Sequence, residues 1–253
     1  MPSTSEQRRA SSDAGPRLRE AGRRKTASRR RSSILPVLQI VPIAVLVGMV
    51  DGAGFLLTGV FVSFMSGNTT NAAVSLAGSD QLKGLILLST ILVFVLGNFF
   101  GELAALASGR RATAVVLACA AVFLLLAAGR GDHDPEYLSL ASLVFSMGAV
   151  NASIGKVGGV RVGLTYVIGA LSKIAIGLAR VVAGKQDADL ALNIQYLPCI
   201  GVFAGASISS LLHSYEPELL LWVPAVFAIC LTFIAAFVPS ERGKTTEDGN
   251  AHN

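Results

Sequence analysis

Long apolar stretches separated by short polar loops make up most of the chain from residue 34 onward. A helix needs about 20 predominantly apolar residues to cross the hydrocarbon core of a bilayer. Stretches that reach or approach this length lie at 34–57, 59–78, 84–107, 112–129, 136–154, 162–183, 194–213 and 219–238. The pattern predicts an all-α, polytopic integral membrane protein with a transmembrane domain over 34–238.

Two of these stretches contain polar residues in the middle of apolar sequence. The stretch 59–78 includes the run FMSGNTTN, and the stretch 162–183 includes Lys173, Arg180 and three glycines. Irregular backbone at membrane depth survives only where it is buried in protein or lines a polar cavity. We therefore expect both segments to be broken or re-entrant rather than ordinary lipid-facing helices.

Charge is concentrated at the N-terminus. Of the 253 residues, 52% are hydrophobic and only 15% charged. Residues 1–33 contain ten basic and three acidic groups, a net charge of +7, and the remaining residues carry −2. The basic pI belongs to this tail, so we expect no nucleic-acid partner. The sequence predicts a disordered basic cytoplasmic tail at 1–33 and a short polar cytoplasmic tail at 239–253. The N-terminal tail is compatible with a transit peptide, a lipid-touching arm or a topology signal.

The basic loop residues allow the number of crossings to be predicted, because they favour the cytoplasmic side. If both interrupted segments enter and leave on one side, six crossings remain. The basic groups that then share the side of the N-terminal tail are Arg110, Arg111, Lys156, Arg161, Arg180, Lys185, Arg242 and Lys244. We expect about six transmembrane helices with both termini in the cytoplasm.

Sequence features recur at a nearly constant spacing, which predicts an internal repeat. The pairs are Asp51 with Asn151, Gly67 with Gly169, Gly97 with Gly201, and Gly101 with Gly205, at offsets of 100, 102, 104 and 104. Repeats over 34–130 and 136–238, each with three crossings, must be inverted relative to each other, as in many secondary transporters. The two G-x-x-x-G pairs are expected to pack helices closely.

The stretch GMVDGAGFLLTGVFVSFMSGNTTNAAVSLAG, which begins at Gly48, resembles the YoaK-like family of bacterial membrane proteins of unknown function. That family carries G-x-x-D-A-x-x-F followed by F-V-x-x-M-T-G-N-T, and Ser66 here replaces the family's Thr. Met147 to Ala152 and Thr165 to Gly169 resemble its patterns in the second half. The resemblance covers roughly residues 36–240 and implies an integral protein of a bacterial-type plasma membrane, without a substrate.

Asp51 is the sharpest candidate for chemistry, because a carboxylate at the bilayer centre costs about 2.5–3.5 kcal/mol. It is either a coupling-ion or substrate ligand, or a neutral or paired aspartate bonded to exposed backbone at the helix break. Lys173 either pairs with Asp51 or extends to the interface. The candidate substrate-binding residues are Asp51, Ser66, Gly67, Asn68, Thr69, Asn71, Asn151, Gly169 and Lys173. Their oxygens suit a cation or a polar solute, whereas free N–H groups would suit an anion. The alternative is that these polar residues only hold helices together.

Other function classes are less well supported by the residues. No central histidine, G-x-S-x-G or G-x-x-x-x-G-K-[ST] occurs, so we expect neither an enzyme nor a nucleotide-driven pump. The three cysteines are far apart within apolar runs, and we expect no metal and no cofactor. The sequence favours a secondary transporter or permease for a small polar or ionic solute, with a non-transporting scaffold or sensor as the alternative.

Overall fold

A computed structural model describes residues 40–130, 136–153, 167–184 and 190–237. These residues form helices joined by short connections, and no strand occurs among them. The helices are α1 (Ile40–Thr58), α2 (Met65–Ala77), α3 (Gln81–Ser108), α4 (Ala112–Ala128), α5 (Glu136–Ser153), α6 (Val167–Val182), α7 (Leu190–Tyr215) and α8 (Leu219–Phe237). The expectation of an all-α protein is confirmed for this part of the chain. The predicted tails 1–33 and 239–253 lie outside the described residues.

Four helical runs are long and apolar enough to cross a membrane by length and composition. They are Ile40–Thr58, Gln81–Ala128, Leu197–Tyr215 and Leu219–Phe237. Helix α5 contributes a shorter apolar stretch, Tyr137–Ala152. These runs support an integral membrane protein with several spans.

The 48-residue run Gln81–Ala128 is a hairpin of α3 and α4. The three-residue 3-10 turn Gly109–Arg111 separates the two helices, and Gly109 has φ 50°, where a side chain would be strained. Phe145 of α5 contacts rings from both arms, with centroid distances of 6.2 Å to Phe100 and 4.4 Å to Phe123. The arms therefore run back along each other against α5.

Helices α1 and α5 lie at the centre of the described structure. Leu46 and Val50 of α1 and Met147 and Val150 of α5 are all buried. Alanines from α4 and α8 complete the same apolar cluster. Small side chains allow close helix approach in a bundle that gains little from hydrophobicity in lipid.

Two helix crossings bring backbone against backbone. Gly97 and Gly101 of α3 face α5, and a Cβ on Gly101 would lie 2.6 Å from the Cα of Ala149. Gly201 and Gly205 of α7 face α1, and a Cβ on Gly201 would lie 2.7 Å from the Cβ of Ala44. Any side chain at these positions would separate the helices.

Helices α2 and α6 each pack on the helix that follows. Helix α2 lies on α3, and α6 lies on α7. At 1.5 Å per residue, the 13 residues of α2 extend about 20 Å. This length falls short of the roughly 30 Å hydrocarbon core.

Candidate functional site

The backbone is irregular between α1 and α2. Helix α1 ends at Thr58, whose hydroxyl donates to the Gly54 carbonyl at 2.8 Å and accepts from the Val60 N–H at 3.2 Å. Gly59 then takes φ 69°, a left-handed conformation that residues with a Cβ rarely adopt. The chain stays non-helical to Phe64, and α2 begins at Met65. We call residues 59–64 the break.

Asp51 holds the break from the side of α1. Its Oδ1 accepts hydrogen bonds from the N–H groups of Val62 and Ser63, each at 2.8 Å. Val62 and Ser63 precede Phe64, the N-cap residue of α2, so these bonds hold the break and do not cap the helix. Asp51 therefore anchors the break to α1.

Asn68 holds the break from the side of α2. Its side chain is 0% exposed, and its Nδ2 donates to the carbonyl of Phe61. This bond fixes the orientation of the amide, because the flipped amide would set two acceptor oxygens against each other. Its Oδ1 is buried without a hydrogen-bond partner. An unpaired buried acceptor costs about 1–3 kcal/mol, so it needs an explanation.

Three phenylalanine rings surround the break. The Phe55 and Phe61 rings stack with their centroids 4.7 Å apart, and the Phe61 and Phe64 rings meet edge to face at 5.6 Å. Gly67 lies beneath Phe64, because a Cβ there would be 2.6 Å from the Phe64 Cδ1. The rings place apolar bulk beside the polar groups of Asp51 and Asn68.

The other polar candidates on α2 point elsewhere. Ser66, Thr69 and Asn71 are exposed. The Thr69 hydroxyl donates to the carbonyl of Met65 at 2.8 Å, which satisfies it within its own helix. Thus the structure brings Asp51, Gly67 and Asn68 to the break and leaves Ser66, Thr69 and Asn71 on the outer face of α2.

Asn151, the repeat counterpart of Asp51, joins a polar contact between α3 and α5. Its Nδ2 donates to the Oδ1 of Asn98 at 2.9 Å, and the Asn98 Nδ2 donates to the Phe94 carbonyl at 2.9 Å. Asn98 was not among the predicted site residues. The signal that could have identified it is its position between Gly97 and Gly101, which places it beside the face of α3 that packs on α5.

The second interrupted segment is described only in part. Helix α6 contains Gly169, which is partly buried. Lys173 lies on the same helix, but its side chain is outside the described part of the structure, as is the predicted stretch 162–166. Within the described residues, the groups bonded to Asp51 are backbone N–H groups and a hydroxyl. A pairing of Asp51 with Lys173 stays a prediction.

The described residues contain no group of three or more His, Cys, Asp or Glu side chains that could hold a metal ion. No disulfide bond joins Cys119, Cys199 and Cys230.

Comparisons with known proteins agree with the resemblance found in the sequence. Residues 40–234 match the family described as "Protein of unknown function (DUF1275)". The chain is 42% identical over 217 residues to "UPF0700 transmembrane protein RA0705" of Rhizobium meliloti (strain 1021), which covers 86% of this chain and 93% of that protein. No solved structure matches. The chain belongs to the DUF1275 family, a family of unknown function with transmembrane members.

Proposed function

We propose that the protein is a permease or secondary transporter for a small polar or ionic solute, with its binding site at the break. One observation carries the proposal: the Oδ1 of Asn68 is fully buried and has no partner within the protein. In a chain that lies in hydrocarbon, such an acceptor is costly unless a ligand or water supplies a donor.

The surroundings of Asn68 fit a solute site. Discontinuous helices at membrane depth form the sites of many transporters, because their ends expose backbone groups to the bound species. Here Asp51 and Asn68 hold the two sides of the same non-helical segment. Solute binding and the geometry of α1 and α2 would thus be coupled directly. Asn151, Gly169 and Lys173 are proposed to complete the site from the second repeat.

The proposed topology has six crossings, formed by α1, α3, α4, α5, α7 and α8. Helix α2 would enter and leave on one side, as its length of 13 residues suggests, and α6 would do the same as its counterpart in the second repeat. The basic loops then lie in the cytoplasm with both termini. The membrane is proposed to be a bacterial-type plasma membrane.

An inverted repeat is supported by the pairing of helices. Gly48 of α1 meets the backbone of Val202 in α7, and Gly148 of α5 meets the backbone of Phe94 in α3. The first helix of each proposed repeat thus packs on the G-x-x-x-G helix of the other. Within the repeats, α2 packs on α3 and α6 packs on α7, which are equivalent pairs.

A scaffold that recruits proteins through its G-x-x-x-G faces fits less well. Gly97 and Gly101 are covered by α5, and Gly201 and Gly205 by α1. Neither face is free to receive a partner while the chain is folded this way. We propose that the protein has no enzymatic activity. Its proposed partners are the lipid bilayer and the solute.

A thermal-unfolding screen of purified full-length protein against small polar metabolites and ions tests the proposal. A ligand that binds only the folded state raises its stability by about 2.7 kcal/mol at a hundredfold excess over Kd. We expect a stabilising solute for the wild type and for Asn71→Ala, which alters an exposed amide on α2, and no response from Asp51→Asn. A solute that stabilises all three equally would contradict the proposed site.

A further inference from the structure

The backbone donors at the break are already used by the protein itself. The N–H groups of Val62 and Ser63 donate to the Asp51 carboxylate. Backbone donors of this kind ahead of a half-helix would otherwise suit an anionic solute. Because an internal carboxylate holds them, an external anion would have to displace Asp51.

The group left over at the break is an acceptor. Asn68 is 0% exposed, its Nδ2 is fixed on the Phe61 carbonyl, and its Oδ1 has no partner. An amide oxygen in this state is satisfied by a donor or by a positive charge. It is the kind of oxygen ligand that small hard cations take in proteins.

The local charge balance favours the same sign. In its ionised form, Asp51 contributes a full negative charge, the C-terminus of α1 at Thr58 contributes about half a negative charge, and the N-terminus of α2 about half a positive charge. Among the described groups, the two helix ends roughly cancel, which leaves the carboxylate. The described groups bonded to it are the neutral N–H groups of Val62 and Ser63, and a charge within the bundle is costly without a counter-charge.

We infer that the break binds a small monovalent cation, with the Oδ1 of Asn68 as a direct ligand and Asp51 as the compensating charge. This inference rests on the proposed function and names the class of its solute or coupling ion. The cation is an alkali ion or an ammonium ion, because either one satisfies an acceptor oxygen near a carboxylate.

Thermal unfolding of detergent-purified full-length protein in four chloride salts at equal ionic strength tests the inference. The cations are sodium, potassium, ammonium and N-methylglucamine, the last being too large for a buried amide oxygen. We expect one small cation to raise the Tm saturably by about 5–10 °C over N-methylglucamine. The identity of that cation separates an alkali ion from an ammonium ion.

Three variants locate the effect. Asn68→Ala is expected to lose the cation-dependent rise, and Asn71→Ala to keep it. Asp51→Asn retains an oxygen for the backbone donors but no charge, and its half-saturating concentration is expected to rise at least tenfold. This variant carries the test if Asn68→Ala does not fold as a monodisperse protein.

Equal Tm values in all four salts would overturn the inference and would leave a water molecule as the partner of Asn68. A wild-type response in Asn68→Ala or in Asp51→Asn would also overturn it, because the cation would then bind elsewhere. A neutral solute that stabilises the wild type but not Asp51→Asn in N-methylglucamine chloride would refute the cation and leave the permease proposal standing.

Discussion

Asp51 has a structural role and a proposed role in solute binding, which the sequence could not separate. Its carboxylate accepts from the N–H groups of Val62 and Ser63 and so holds the break against α1. The same contacts make an ionised group tolerable within an apolar bundle, because hydrogen bonds to charged groups are worth about 1.5–3 kcal/mol. Structure and the proposed solute binding would therefore depend on the same side chain.

We expect Asp51→Ala to lower the free energy of unfolding by about 2–4 kcal/mol, because it leaves buried N–H groups without an acceptor. Asp51→Asn should lose less, since an amide oxygen can still accept. Equilibrium unfolding in mixed micelles measures both. Asp80→Ala is the control, because Asp80 is an exposed cap that accepts from the Lys83 N–H at 3.2 Å, and such caps are worth about 1 kcal/mol. Equal losses of unfolding free energy in Asp51→Ala and Asp80→Ala would contradict the stabilising role of the bonds from Asp51 to the break.

The amide pair of Asn98 and Asn151 joins α3 to α5 across 53 residues of sequence. We expect a double-mutant cycle with Asn98→Ala and Asn151→Ala to give a coupling energy of about 0.6–1.7 kcal/mol, the range found for hydrogen bonds between membrane helices. The same unfolding assay measures it. If the losses of unfolding free energy in the two single variants add up to the loss in the double variant, the hydrogen bond contributes no coupling energy.

At the scale of elements, the helix positions could be predicted better than their ends. The predicted stretches 84–107 and 219–238 correspond to α3 over Gln81–Ser108 and α8 over Leu219–Phe237. The stretch 59–78 was expected to be broken, and its helix begins only at Met65. Residues 60–64 are apolar, so composition could not locate the break within the stretch, where tertiary hydrogen bonds hold these residues non-helical.

The candidate site could also be predicted from the sequence only in part. Asp51 and Asn68 stood out as polar residues in apolar sequence, but their common attachment to one segment depends on the path of the chain. Ser66 and Asn71 stood out equally and lie on the outer face, because the direction of a side chain depends on which side of α2 meets α3. Asn98 went unnoticed because it lies within a motif known for its glycines.

The crossing of α3 and α5 depends on the absence of side chains. We expect Gly101→Ala to lower the free energy of unfolding by about 1–3 kcal/mol, because the new methyl group would overlap the backbone of Ala149. Leu103→Ala on the same helix is the control: Leu103 is 53% exposed, and surface changes usually stay within about 0.5 kcal/mol. Unfolding in micelles distinguishes them, and a neutral Gly101→Ala would show that the helices can separate without cost.

At the scale of the whole molecule, the apolar runs of the described residues support a polytopic membrane protein, and the charge pattern extends this to a proposed sidedness. The connection at Arg111 should be cytoplasmic, and the connection at Glu216, between α7 and α8, should face the opposite side. Both positions are exposed in the structure and suit chemical labelling.

We expect a cysteine in place of Arg111 to react with a membrane-impermeant maleimide only after the cells are permeabilised, and a cysteine in place of Glu216 to react in intact cells. The parent for both variants replaces Cys119, Cys199 and Cys230 with alanine, because none of the three is held in a disulfide bond. Labelling of both positions from outside would be incompatible with six crossings.

The contact between α1 and α7 has a consequence for biosynthesis. The buried Ser209 hydroxyl donates to the Met49 carbonyl at 2.6 Å, and the two residues are 160 positions apart in the chain. At about 5–20 residues per second, a ribosome needs roughly 8–32 s to travel from one to the other. During this interval the face of α1 that packs on α7 has no native partner. The nascent chain must therefore keep its central helix against lipid or the insertion machinery until nearly the whole protein has been made.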